Sequence, residues 1–146
     1  MITIREMQFD DLEQVMEIER QNFSVPWTEN GFFSFLMRND TLFLVAEENE
    51  KILGYMGIMM VLDEGEITNV SVAEDARRRG VGRLLVQTML DKMRAAGLTM
   101  IHLEVRKSNI PAIRLYEEFF FAQDGERKNY YEEPTEDAVL MSCTLK

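Results

Sequence analysis

Apolar residues recur along this chain with two different periods, and the places where the period changes predict its elements. Met1 to Met7 alternates apolar and polar side chains, as an edge strand does. From Asp10 to Phe23 the spacing becomes helical: Leu12, Val15, Met16, Glu19 and Phe23 share one stripe, with Asp10 placed to cap it and Glu13 three residues on. Pro26-Trp27-Thr28 breaks the chain, and Thr28 is positioned to cap a short helix reaching about Met37. Thr41 to Glu47 and Lys51 to Leu62 read as a hairpin around Glu48-Asn49-Glu50. Asp63-Glu64-Gly65 then turns the chain into a strand from Glu66 to Val72.

The helical period returns at Val81, Leu84, Leu85, Thr88, Met89 and Ala96, with Gly97 as a natural stop. Met100 to Val105 reads as a strand, and Ser108 to Phe119 as a helix with Pro111 in its first turn. Two closing strands, about Phe121 to Arg127 and Ala138 to Leu145, flank the acidic loop Glu132-Glu133-Pro134-Thr135-Glu136-Asp137. The order βααβββαβαββ implies an α/β protein in the α+β sense, one mixed sheet with helices on both faces. No linker or repeat interrupts residues 1–146, so one domain is expected.

Composition narrows the partners. A formal net charge of -10 opposes general nucleic-acid binding and favours a cationic partner or an amine substrate. No apolar run approaches the roughly 20 residues of a membrane span, and the start of the chain lacks a signal peptide's apolar centre. The single cysteine, Cys143, excludes an internal disulfide and a cysteine-based metal cluster. A cytoplasmic protein without a metal is the expectation.

Against this acidic background, Arg77-Arg78-Arg79-Gly80-Val81-Gly82-Arg83 sets four positive charges between a strand and a helix. A glycine-bearing turn at a helix start aims unpaired N–H groups outward, and the helix dipole adds partial positive charge. Such a turn suits a diphosphate, although a solvated arginine patch capping a helix would look similar. Neither the three-glycine dinucleotide fingerprint nor the Gly-Lys-Ser/Thr loop is present. Arg77-x-x-Gly80-x-Gly82 instead resembles the acetyl-CoA signature of the GNAT N-acetyltransferases.

That resemblance extends over nearly the whole chain. Its blocks are Pro26-Trp27-Thr28-Glu29, Leu103-Glu104-Val105-Arg106-Lys107-Ser108-Asn109, Ala112-Ile113-Arg114-Leu115-Tyr116-Glu117, Arg127-Lys128-Asn129-Tyr130-Tyr131 and Asp137-Ala138. Within the family they are similar to the bacterial enzymes that acetylate the N-terminal alanine of a ribosomal protein. The resemblance implies the GNAT fold, in which two parallel central strands splay apart and admit the pantetheine arm of acetyl-CoA. It implies that the arm pairs with the backbone of Val70, Ser71 and Val72. The diphosphate is then expected on the N–H groups of Arg78, Arg79, Gly80, Val81, Gly82 and Arg83, with Arg77 and Asn109 also holding the cofactor. It implies further that Trp27, Tyr130, Tyr131 and the acidic loop shape a groove for the basic N-terminal tail of a ribosomal protein.

Two residues are expected to carry the chemistry. Glu104 lies inside an apolar strand between Leu103 and Val105, so its carboxylate faces the opposite side of the sheet, where it could meet an amine as general base. An α-amine of pKa about 7.7–8.0 is about 10–20% neutral at pH 7, whereas a lysine amine near 10.4 is only about 0.04% neutral. An α-amine is therefore the less demanding acceptor. The helical stripe of Tyr116 with Ile113 and Phe119/Phe120 by itself favours core packing, whereas the resemblance puts Tyr116 at the family's tyrosine position and implies the general acid. His102, on the Glu104 face, is expected to be solvent-facing or hydrogen-bonded, and Cys143 to be a small packed side chain. Phe120 stands where the family usually has glycine, which predicts a rebuilt turn after the Tyr116 helix. Acetyl transfer to a small amine, or acyl-CoA binding without catalysis, are the alternative functions.

Overall fold

The structure is a computed structural model and describes residues 1–145. Its strands are β1 Thr3–Glu6, β2 Thr41–Glu48, β3 Lys51–Val61, β4 Glu64–Val72, β5 Met100–Arg106, β6 Ala122–Tyr131 and β7 Glu136–Thr144. Its helices are α1 Leu12–Asn22, α2 Glu29–Leu36, α3 Val81–Ala95 and α4 Ile110–Glu118. The strands form one sheet in the order β1-β2-β3-β4-β5-β7-β6, antiparallel except where β4 meets β5.

Helices cover both faces of this sheet, as the element order predicts. On β3 the Tyr55 hydroxyl bonds Glu19 of α1, and its ring meets Phe32 of α2 edge-on at 5.6 Å. A Cβ on the adjacent Gly54 would instead meet Val81 and Leu85 of α3 at 3.1 and 3.4 Å. Neighbouring strand residues point to opposite faces, so α1 and α2 lie on one side and α3 on the other. Val15, Tyr55, Met56, Leu85, Met89 and Ile101 are among the side chains sealed in the two resulting core layers.

Several boundaries differ from the periodic reading. Asp10 does not cap α1: residues Phe9–Asp11 form a 3-10 turn first. Asp11 accepts the Gln8 N–H at 2.7 Å and is gripped by both Arg5 terminal nitrogens at 2.8 Å. Thr28 does cap α2, its Oγ1 accepting the Gly31 N–H at 3.0 Å. β4 starts at Glu64, because the turn is closed by Leu62 and Asp63 alone, with Leu62 at φ 56°. β6 continues to Tyr131, and Glu136 and Asp137 open β7, so the acidic loop shrinks to a turn. α4 begins at Ile110 with Asn109 as its cap.

The turn after α4 is not rebuilt. Phe120 takes the left-handed conformation itself, at φ 69°. The Phe121 N–H reaches the Tyr116 carbonyl at 3.1 Å and the Phe120 N–H reaches the Glu117 carbonyl at 3.0 Å. The same motif closes α3, where Gly97 occupies the left-handed position at φ 87°. Phe120 is 85% exposed and accepts the steric cost because its two hydrogen bonds, with Phe121 buried beyond, leave the helix one way to end. Phe120→Gly relieves that cost and is expected to raise stability by about 1 kcal/mol in urea denaturation, with activity unchanged.

Candidate active site

One extra residue creates a gap between β4 and β5. β4 and β5 pair only at Glu64↔Met100, Gly65↔Ile101 and Glu66↔His102. On the other edge of β4, the register with β3 jumps from Ile58↔Ile67 to Gly57↔Asn69, leaving Thr68 without a partner. This bulge bends β4 just beyond its last contact with β5, and the two parallel strands part there. The splay expected from the resemblance is present.

The ladder decides which backbone groups line the gap. The Ala73 N–H bonds the Leu53 carbonyl at 2.8 Å, so Ala73 and Leu53 are a hydrogen-bonded pair. Such pairs alternate along an antiparallel ladder, so Ser71 bonds Tyr55 while Val70 and Val72 turn their N–H and C=O groups away from β3 into the gap. Of the three expected residues, Val70 and Val72 thus offer backbone to an extended amide-bearing arm. Ser71 contributes its side chain instead: its Oγ takes the Asn22 Nδ2 at 2.5 Å, and the same nitrogen donates to the Val72 carbonyl at 2.9 Å.

At the far end of β4 lies the arginine turn. The first helical bond of α3 is Leu84 N–H to the Gly80 carbonyl at 3.0 Å, so the N–H groups of Val81, Gly82 and Arg83 have no carbonyl one turn back. Arg78 at φ 67° and Gly80 at φ 78° shape the approach. The positive charge is less free than its density suggests. Arg77 donates to Asn22 Oδ1 at 2.6 Å, Arg79 to both Glu48 oxygens at 2.9 Å, and Arg83 pairs with Glu118 at 2.7 Å. A Cβ at Gly82 would sit 3.3 Å from Leu115 of α4, so this glycine serves helix packing as well as an open turn. The free edge and the three N–H groups fit an extended arm that ends in a diphosphate.

Glu104 stands on the opposite side of β5 from its neighbours. Gly65 shows the geometry: its Cβ position meets Ile58, Leu98 and Ile101, all on the α3 side. Ile101, Leu103 and Val105 are buried there, which turns His102, Glu104 and Arg106 toward the α1 side. Tyr130 and Tyr131 gather beside Glu104, their rings 5.1 Å apart at 85°. A hydrogen bond to Glu104 pushes the Tyr130 hydroxyl above its ordinary pKa. Burial, followed by the charge of Glu104, pushes Tyr131 up to about 12. The Arg106 guanidinium lies 4.6 Å from the Tyr131 ring centre and ties down the β6–β7 turn through the Glu132 and Pro134 carbonyls.

Tyr116 is buried in α4, its ring 5.6 Å from Phe121. Burial, with the nearby Tyr131, raises its pKa above the ordinary tyrosine value. Its hydroxyl bonds no protein group among the described residues, yet it is not sealed from solvent. It is packed by its ring and open at its hydroxyl. Other expected residues have structural work. Asn109 Oδ1 caps α4 at the Ala112 N–H, 3.3 Å away. Trp27 stacks on Phe35 at 4.8 Å and packs on Phe32 and Phe43, away from the tyrosine pair. In the former acidic loop, Glu136 accepts the Ser108 N–H at 2.7 Å and Asp137 the Asn129 N–H at 2.9 Å. His102 bonds Glu64 at 2.5 Å, as a hydrogen-bonded histidine should, and Cys143 is buried, its thiol pushed up by burial.

Three further residues contribute, and of these only Glu19, set in the apolar stripe of α1, gives a sign in the sequence. Asn22 ties α1 to the end of β4 and to Arg77, while Ser24 Oγ reaches the Glu133 carbonyl of the β6–β7 turn at 2.5 Å. Glu19, only 2% exposed, is held by the Tyr55 hydroxyl and accepts the Trp27 N–H at 2.9 Å. Burial and the Glu19 charge raise the Tyr55 pKa, so the phenol stays a donor. Tyr55→Phe leaves that buried carboxylate one donor short and is expected to cost about 2–3 kcal/mol in denaturant unfolding.

The model of the acetyltransferase (GNAT) family matches residues 12–121. The ribosomal protein bS18-alanine N-acetyltransferase of Salmonella typhimurium is 35% identical over 149 residues, covering 99% of this chain and 99% of its own. The crystal structure of the ribosomal-protein-S18-alanine N-acetyltransferase from Escherichia coli matches with TM-score 0.93 at 33% identity, over 100% of this chain and 95% of that one. Ard1 from Thermoplasma volcanium matches with TM-score 0.91 at 26% identity, over 99% of this chain and 98% of that one.

Proposed function

From the premise that this chain belongs to the GNAT acetyltransferase family, whose co-substrate is acetyl-CoA, we propose that it acetylates the N-terminal alanine of a ribosomal protein of the bS18 type. The single observation that carries the reading is Glu104, a carboxylate turned out of an apolar strand beside Tyr130, at the place where β4 and β5 part. The family makes the protein an acetyl-transferring enzyme. The full-length similarity to enzymes named for alanine acetylation supports the acceptor.

The backbone of Val70 and Val72 holds the pantetheine arm, and the turn from Arg77 to Arg83, with Gly80, Val81 and Gly82, receives the diphosphate. The acceptor enters from the α1 side, the side to which Glu104 points. Glu104 takes a proton from the α-ammonium group, directly or through one water, and the freed amine nitrogen attacks the thioester carbonyl carbon. A C–N bond forms, the nitrogen releases its second proton to solvent, the C–S bond breaks, and the Tyr116 hydroxyl gives its proton to the departing sulfur. Its raised pKa keeps Tyr116 protonated at every physiological pH, so the donor is always loaded. Solvent returns that proton and removes the one on Glu104.

Charge supports a basic acceptor. The net charge is -10, and Glu132 and Glu133 point exposed carboxylates from the turn that borders the gap. The tyrosine pair lines the same side, while Trp27 acts through the packing of α2. Incubating the protein with acetyl-CoA and peptides that begin with alanine, and measuring CoA release by mass-verified product, tests the reading. Transfer to polyamines or amino sugars but to no peptide N-terminus would replace it.

Glu104→Gln is expected to keep acetyl-CoA affinity and lower turnover about 10²-fold at pH 7, with the deficit shrinking toward pH 9. The sign follows from the acceptor: above its pKa of about 7.7–8.0 the α-amine is already neutral and needs no base. A pH–rate profile checks it. Tyr116→Phe removes only a hydroxyl with no protein partner, so melting temperature should hold while turnover falls about 10²–10⁴-fold. Full activity with a lowered melting temperature would make Tyr116 a packing residue only.

A further inference from the structure

Asn69 lies in β4 directly after the bulged Thr68, at the mouth of the gap. Its Oδ1 accepts the Thr68 hydroxyl at 2.9 Å. Its Nδ2 is buried and is the one buried side-chain nitrogen or oxygen among the described residues with no hydrogen-bond partner. A buried amide that bonds nothing destabilises the fold, and such groups in native proteins call for an explanation. There is no structural one here: no backbone carbonyl or side chain takes the donor.

The position supplies the explanation. Ser71, two residues on, faces α1 through Asn22, so Asn69 faces the same side. Glu104 projects to that side from β5. The two residues therefore flank the gap on one face of the sheet, the face by which the acceptor arrives. In a peptide N-terminus, the hydrogen-bond acceptor nearest the α-amine is the carbonyl oxygen of the first residue. We propose that Asn69 is a positioning residue whose side-chain amide donates to that first carbonyl and so aims the α-amine at the thioester beside Glu104. The side chain is only half-buried and is held by one hydrogen bond, so the amide can turn outward when an acceptor enters. A small amine lacks this carbonyl, and the contact favours peptide ends over such amines. The inference rests on the N-terminal reading above and deepens it.

The test uses the wild type, Asn69→Leu and Asn69→Asp with an alanine-starting peptide. Leucine matches the shape without the polar atoms, and aspartate keeps the acceptor oxygen while removing the donor. Both variants are expected to raise the peptide KM at least tenfold. Acetyl-CoA affinity measured by calorimetry should stay within twofold, and the melting temperature of Asn69→Leu should equal or exceed the wild type's. An unchanged peptide KM in Asn69→Leu overturns the proposal. So does a lowered melting temperature with acetyl-CoA affinity and peptide KM impaired together, which marks a structural residue. An Asn69→Asp variant that keeps wild-type KM overturns the donor assignment. A wild type that acetylates no peptide N-terminus sinks the N-terminal reading and this inference with it, whereas wild-type transfer with an indifferent Asn69→Leu sinks this inference alone.

Discussion

The parting of β4 from β5 is the constraint from which the site follows. Adjacent parallel strands normally satisfy one another's backbone groups, and an unpaired edge inside a sheet is a standing cost. Here one unpaired residue, Thr68, bends β4 after three paired positions and opens that edge. The strand keeps its other ladder, to β3, so it stays rigid while Val70 and Val72 face the gap. A ligand that supplies amides in extended form then completes a sheet the fold leaves incomplete. The bulge also separates two strand ends, so functional groups on β4 and β5 can face one another across the gap.

Charge is arranged around that gap with more restraint than composition suggests. The arginine turn would be a dense cationic cluster if its side chains were free. Glu48 and Glu118 neutralise two of them, and Asn22 orients a third. The fixed partial charges of the α3 N-terminus remain, and they cannot swing away. On the opposite side of the gap the arrangement is acidic and aromatic, with Glu104 among Tyr130, Tyr131 and Arg106. Unpaired N–H groups stand at one end of β4 and a carboxylate at the face of β5.

The connections between these regions run through α1. Its last residue, Asn22, bonds the end of β4 and Arg77; Glu19 holds the loop that follows through the Trp27 N–H; Ser24 in that loop touches the β6–β7 turn. Together these pairings fix how the end of β4, the loop after α1 and the β6–β7 turn sit relative to one another. Asn69 is the exception to that pairing, and it stands at the gap.

Periodicity alone determined the order of strands and helices, because burying an apolar face forces either a period of two or one near 3.6, and each stretch shows one or the other. It also determined which face of β5 Glu104 must take, since Leu103 and Val105 could only point the other way. The glycine turn and the Glu104, Tyr116 and Tyr130-Tyr131 blocks were legible as a family resemblance. Tertiary structure decided the rest. A bulge is a register relation between two strands, so nothing in Thr68 announces it. Whether Ser71 or its neighbours line the gap depends on the phase of the β3 ladder, which was set by Ala73 and Leu53. Asn22 and Asn69 are ordinary residues until distant segments fold against them. Phe120 shows the reverse case: its sequence predicted a rebuilt turn, and two helix-ending hydrogen bonds outweighed its own preference. Local pattern fixes what a segment becomes, and only packing between segments fixes which of its atoms are left free to act.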